Sequence, residues 1–186
     1  MVQKYTNKKI DFEIILALIR REYHVRELSR EIEESHPTVL RKLQELREEN
    51  VVDYRQEGKN KVYFIKKTLQ GKNYVYSAEK YKFLKLLHQY PELTVILEDI
   101  LKEINKGMIV LFGSYAKFIA KGESDIDILI ENNNDKIRHK LKELHSKISA
   151  KIGDFDPNSL LGKEIIKNHV IIRCIEEFYE RSKFFE

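Results

Sequence analysis

A second cysteine, a long apolar run and any repeat are all missing from this 186-residue chain. The single cysteine, Cys174, excludes an internal disulfide, and this points to a reducing compartment. Cys174 falls in the apolar run 170–175, where a buried structural thiol is expected. No stretch approaches the about 20 apolar residues of a membrane helix. The N-terminal residues MVQKYTNKKIDFE lack the apolar centre of a secretion signal. The expectation is a cytoplasmic protein with no membrane partner. Disorder is excluded by 42% hydrophobic against 34% charged residues.

Neither sign of charge dominates, since the formal net charge is +4. Its placement is uneven. Residues 1–75 hold 16 Lys and Arg against 12 Asp and Glu, and the remainder holds 18 of each. The excess favours a polyanion partner for the first part, with ordinary surface scatter as the alternative.

The length suits one large domain or two small ones. Composition shifts near Gly71 to Ser77. Helices are expected at 78–89 and 93–104, with Pro91 opening the second. Strand-like runs follow at 108–112 and 126–131. Residues 135–148 read as a helix striped by Ile137, Leu141, Leu144 and Ile148, capped by Asn134 or Asp135. A turn at Pro157, a short helix at 159–167, a strand at 170–174 and a terminal helix complete the chain. Strands alternating with helices describe an α+β protein. The division expected is 1–75, connecting helices 76–106, and 107–186.

Within the first block, Ile10, Ile14, Leu18 and Ile19 stripe one helix. A second starts at His24 and ends near Ile32. Ser35 is placed to cap a third, with Pro37 in its first turn. That helix buries Val39, Leu40, Leu43 and Leu46 and turns Thr38, Arg41, Lys42 and Glu45 outward. Strands at 51–55 and 61–65 flank a hairpin turn at 58–60. The run SHPTVLRKLQELREENVVDYRQEGKNKVYFIKKT resembles the winged helix-turn-helix of ArsR- and MarR-like transcriptional regulators, over roughly residues 1–68. The resemblance implies DNA binding and transcription regulation. Thr38, Arg41 and Lys42 would meet bases or phosphates in the major groove. Arg55, Lys59 and Lys61 on the hairpin would meet the backbone. A homodimer is expected, because such regulators match a two-fold axis to two half-sites. A winged helix used only for protein contacts is the alternative, and Glu45, Glu48, Glu49 and Glu57 count towards it.

The segment LFGSYAKFIAKGESDIDILIE carries the chemistry. Residues alternate along a strand, so Asp125 and Asp127 share a face while Ile126, Ile128 and Ile130 point into a core. Two carboxylates on one face raise each other's pKa, and a divalent cation resolves the repulsion. Mg2+, or Mn2+, with phosphate oxygens and water suits one or two carboxylates. Gly113 ends a strand where a helix, 114–120, is expected to begin. Its missing Cβ admits a phosphate, held by N–H groups and the Ser114 hydroxyl. Together these features suggest phosphoryl chemistry on a nucleoside triphosphate (NTP), with a two-metal arrangement as the template.

Gly113 and Ser114, ten residues, then Asp125 and Asp127, with Ser124 before the first Asp, resemble the minimal nucleotidyltransferases of the DNA polymerase β-like superfamily. The likeness runs from about Leu93 onward. It implies an NTP held by Gly113, Ser114 and Ser124, metal held by Asp125 and Asp127, and transfer to a hydroxyl acceptor. The acceptor implied is a protein, a small molecule or a nucleic acid. An antitoxin-like role towards a partner protein and a degenerate domain that only senses nucleotide are the alternatives. Phe118 stands where the family often has Gly. The family's third carboxylate should lie near 149–155, where Ala150 or Lys151 takes its natural position. Asp154 is the candidate there, with capping of the Pro157 turn by Asp154 or Asp156 as the other reading. His139 and His145 lack zinc-like partners, and Ser114 has no His/Asp relay.

Overall fold

The computed structural model describes residues 9–132, 140–141 and 143–186. These fall into two compact units, one running to Tyr81 and including Phe185 and Glu186, the other spanning Lys82–Phe184.

The first unit opens with α1 (Ile10–Arg20), β1 (Tyr23–His24), α2 (Val25–Glu31) and α3 (His36–Glu48). Ser35 caps α3 by accepting the Thr38 N–H at 3.3 Å, and Pro37 fits the first turn because its missing donor is not needed there. The inner stripe of α3, Val39, Leu43 and Leu46, is fully shielded with Ile14, Ile15 and Leu18 of α1 and Leu28 of α2. Leu40 is only partly buried. β2 (Val52–Glu57) and β3 (Asn60–Ile65) pair antiparallel to Glu57 opposite Asn60. The turn is therefore Gly58 and Lys59 alone, one residue tighter than the expected 58–60.

His24 does not open a helix. It lies in β1, pairs with Val62 of β3, and is the N-cap of α2. The helix expected at 78–89 begins instead at Leu69 as α4 (Leu69–Gln89). Gly71 is part of it. A Cβ there would stand 2.1 Å from the Lys66 carbonyl oxygen, so this glycine permits close backbone approach rather than breaking the helix. Thr68 fixes the start, accepting the Gly71 N–H at 3.1 Å and donating to the Asn50 carbonyl at 2.7 Å.

The second unit continues with α5 (Leu93–Glu103), β4 (Ile109–Leu111), α6 (Gly113–Ala116), β5 (Ile126–Ile130), β6 (Ile148–Ile152), α7 (Leu160–Lys167), β7 (Val170–Arg173) and α8 (Ile175–Arg181). The sheet order is β6-β5-β4-β7, with β5 and β6 parallel and the other pairs antiparallel. A small mixed sheet and helices make this an α+β protein, as expected. Ile126, Ile128 and Ile130 point into a core with Leu97 and Ile100 of α5 and Leu86 of α4. Arg173 closes the turn before β4, donating to the carbonyls of Ile104, Lys106 and Gly107 at 2.5, 2.6 and 2.7 Å.

The helix expected at 135–148 does not reach Ile148. Asn134, Asp135, Ile137 and His139 lie outside the described residues. Leu141 is buried, Leu144 is 41% exposed, and Ile148 belongs to β6, opposite Ile126. Ile148 is therefore a strand residue, buried in the core cluster that also holds Leu141. Cys174 is half-buried rather than buried, in a left-handed conformation at the start of α8, and burial raises its thiol pKa. Among the described residues no helix is long and apolar enough to cross a membrane.

Candidate functional site

Asp127 sits in β5 with its backbone carbonyl bonded to the Phe112 N–H at 2.9 Å. That bond sets the end of β4 against β5 and brings the following Gly113 over the Asp127 side chain. A Cβ on Gly113 would lie 2.2 Å from Asp127 Oδ2 and 3.0 Å from its Cγ. Gly113 also has φ +70. Both facts demand glycine, and the space left by the missing Cβ is filled by the carboxylate itself.

Burial raises the Asp127 carboxyl above the usual carboxylate range. A hydrogen bond from the Ser149 side chain opposes this, Asp125 and Glu164 add like charge, and Lys151 offsets part of it. Asp125 lies one residue before β5 and is exposed. The structure thus sets Gly113 against Asp127, with Asp125 near enough to add like charge there.

Ser114 follows in α6, which ends at Ala116 rather than at 120, so helix-dipole support is small. The amides that open a helix lack intrahelical acceptors, and among the described residues the Ser114 hydroxyl bonds nothing. Ser124 is placed differently. Its hydroxyl accepts the Lys121 N–H at 2.9 Å and its own N–H donates to the Lys121 carbonyl, so it holds the turn before Asp125. The loop after α6 is tied by Ile119 N–H to the Ser114 carbonyl at 3.1 Å, Ala120 N–H to the Tyr90 hydroxyl at 3.1 Å, and Gln89 Nε2 to the Phe118 carbonyl at 3.2 Å. Within it Phe118 has φ +59, a left-handed conformation that a Cβ disfavours.

Two comparisons with known families fall on this layout. Residues 95–178 match the nucleotidyltransferase domain, and residues 12–54 match the bacterial regulatory protein family described as arsR. The chain carries an ArsR-family helix-turn-helix followed by a nucleotidyltransferase domain. Among solved structures, one that is similar to part of it is the transcriptional repressor BigR from Xylella fastidiosa. The identity is 24%, the match covers 37% of this chain and 67% of that chain, and the TM-score is 0.34. No curated protein matches.

Within the nucleotidyltransferase domain, Asp154 is not brought to the carboxylate pair. β5 and β6 run parallel with Asp127 opposite Ser149. Asp154 lies two residues beyond the end of β6, past Gly153, whose N–H donates to the Ile130 carbonyl. Asp156 makes the turn, accepting the Asn158 N–H at 2.9 Å. The β6 residues that share Asp127's face are Ser149 and Lys151. A carboxylate absent from the sequence reading is Glu164 on α7, which pairs with Lys117 at 3.3 Å and adds charge at Asp127. Nothing in local spacing links residue 164 to residue 127, so no motif could have found it. Among the described residues no group of three or more His, Cys, Asp or Glu could hold a metal ion. The donor set fits one cation shared by Asp125 and Asp127 with phosphate oxygens and water.

In the helix-turn-helix domain, the expected cations are largely paired. Arg41 Nη1 lies 2.5 Å from Glu45, and Lys42 Nζ lies 2.8 Å from Glu45 and 3.2 Å from Asp11. These contacts, the Glu45 hydrogen bond first, raise the Lys42 pKa, and Glu45 is lowered chiefly by Lys42. Arg55 pairs with Glu22 and with Glu57. Lys61 Nζ stands 4.1 Å from the Tyr54 ring centroid. Thr38 shares a hydrogen bond with Ser35. Lys59 sits at the exposed hairpin tip.

Proposed function

We propose that this protein binds DNA through its winged helix and transfers a nucleotidyl group from a Mg2+-bound (or Mn2+-bound) NTP to a hydroxyl acceptor. One observation carries the catalytic half. The glycine of the Gly-Ser loop lies directly against Asp127, so a triphosphate held by that loop would meet the carboxylate pair. Asp125 and Asp127 would hold the metal, which neutralises phosphate charge when bound. The Ser114 hydroxyl and the opening amides of α6 would take phosphate oxygens. Lys117, now paired with Glu164, is the nearby cation able to turn to phosphate. The hydroxyl acceptor is a nucleic acid, a small molecule or a partner protein. DNA binding as a homodimer would match two half-sites.

A second reading is favoured by one observation. The β6 residues on Asp127's face are Ser149 and Lys151, and neither is a carboxylate that could accept the acceptor's proton. On that reading the domain binds Mg·NTP and senses it without transfer.

Labelled ATP, CTP, GTP and UTP offered with Mg2+ separate the two. Label in the protein or in added nucleic acid supports transfer. Absence of label, with duplex affinity altered by Mg·NTP, supports sensing. The variant carrying Asp125→Asn with Asp127→Asn should lose Mg2+-dependent NTP binding, and unchanged binding would sink both readings.

A further inference from the structure

The parallel register of β5 and β6 sets Ser149 opposite Asp127. The two side chains share a hydrogen bond. An ionised carboxylate only accepts, so the Ser149 hydroxyl is the donor. On the other flank of Asp127, just past the end of β4, stands Gly113. The order across the sheet is therefore Gly-Ser loop, Asp127, Ser149. Neighbouring strands stand about 4.8 Å apart, so the two flanks are separated by roughly twice that distance. β6 is the edge strand of the described sheet, and Ser149 is half-buried on it rather than enclosed. Lys151, two residues on, shares the face of Asp127 and is exposed.

A serine becomes a nucleophile where its hydroxyl already donates to a base and a reacting atom can sit beside it. An NTP whose outer phosphates lie in the Gly-Ser loop would carry its α-phosphorus over Asp127. Its pyrophosphate would then lie on the loop side and Ser149 on the opposite side, which is the in-line arrangement of phosphoryl transfer. We propose that Ser149 is itself a nucleotidyl acceptor, taking a nucleoside monophosphate from the NTP bound by its own chain. This rests on the transferase reading above and adds an acceptor to it. Ser149 Oγ bonds the α-phosphorus, and the bond from that phosphorus to the bridging oxygen breaks. Pyrophosphate leaves on the loop side with the electron pair of the broken bond. The Ser149 proton leaves along its hydrogen bond to Asp127 and passes to water. The product is a phosphodiester on Ser149, and Lys151 is the cation on that face able to pair with its single charge. A carboxylate at 149 would serve a diffusible acceptor as base, whereas a hydroxyl there is a substrate.

The full chain incubated with Mg2+ and each of ATP, CTP, GTP and UTP tests this by mass spectrometry. Intact mass should rise by one nucleoside monophosphate per chain, and peptide fragmentation should place it on Ser149. The rate constant should not change with protein concentration, because donor site and acceptor belong to one chain. Ser149→Thr keeps a hydroxyl and should still be labelled at position 149. Ser149→Ala should lose the adduct, with its Tm measured alongside. Calorimetric titration of the wild-type chain with Mg·NTP separates the two ways of failing. Mg·NTP bound with no adduct, an adduct on another residue, or labelling that speeds up with protein concentration overturns the proposal and leaves the transferase reading standing. Absence of Mg·NTP binding overturns both.

Discussion

In the helix-turn-helix unit, Arg41, Lys42 and Arg55 each face a carboxylate of their own unit. In the nucleotidyltransferase unit, Asp127 is desolvated by burial and feels the like charge of Asp125 and Glu164, with the Ser149 hydrogen bond opposing this in part. The first arrangement is satisfied without a ligand. The second is frustrated without one, because burial and like charge both oppose ionisation of Asp127. The contrast teaches where ligand binding should change the protein most. A cation should stabilise the second unit strongly, whereas a polyanion must first compete with internal partners in the first.

The largest effect is expected from Gly113→Val. The left-handed backbone alone costs about 1–3 kcal/mol in a non-glycine residue, and the new side chain displaces the Asp127 carboxylate. Thermal unfolding should show a lower Tm, and Mg·NTP binding should be lost. A variant of wild-type stability that still binds Mg·NTP would remove the contact on which the contrast stands.

Asp127→Asn sharpens it. A carboxyl whose folded pKa lies above its unfolded value binds protons more tightly in the native state. Its ionisation therefore costs stability as pH rises from the ordinary carboxylate value through the raised folded one, and the cost persists at neutral pH. Metal-free Asp127→Asn should melt above wild type at pH 7, and the gap should close as pH falls below the carboxylate range. Mg·NTP should then stabilise wild type and not the variant. A gap that widens in acid has the wrong sign for this account.

How much of this was legible in the sequence follows from the range of the interactions. Asp127 and the isoleucines on the opposite face of β5 were readable because strand alternation is local, whereas Asp125 lies one residue outside the strand. The Ser35 cap and the inner stripe of α3 were readable for the same reason. β1 was not, since two residues form a strand only where β3 is there to pair with them. The start of α4 was missed because Gly71 looks like a break, yet its role is a contact with the Lys66 carbonyl. The position of Asp154 depends on the parallel register of β5 and β6, which no spacing encodes. The approach of Glu164 to Asp127 likewise depends on how α7 packs.

On the DNA side, the pairing predicts an uneven response to substitution. Lys59→Ala should lower the slope of log affinity against log salt by about 1, the value for one phosphate contact. Lys42→Ala should change the slope less, because Asp11 and Glu45 already balance its charge. Glu45→Gln removes a shared partner of Arg41 and Lys42, and should raise affinity for a mixed-sequence duplex by up to about fivefold at low salt. If Glu45→Gln weakens binding instead, Glu45 is orienting these cations for DNA rather than withholding them.

The smallest net effect is expected at Phe118, where two terms oppose each other. A left-handed conformation costs a non-glycine residue roughly 1–2 kcal/mol, so Phe118→Gly relieves that strain. The ring, however, is packed partly buried against the C-terminal core and contributes apolar burial of similar size. Glycine also raises the entropy of the unfolded chain, which favours unfolding by about 1 kcal/mol or less. The sum should lie within about 1 kcal/mol of zero, read as a near-unchanged midpoint in urea. The loop would still change character, because without the ring it is held by hydrogen bonds alone, those to Tyr90, Gln89, Ser114, Gly113 and Tyr115 among them. Faster amide exchange at 117–120 with stability intact would mean that the phenylalanine holds the Gly-Ser loop by packing, where a glycine would hold it by conformation. A loss above about 3 kcal/mol would instead make Phe118 a full core residue, and its left-handed backbone would then be a consequence of burying the ring.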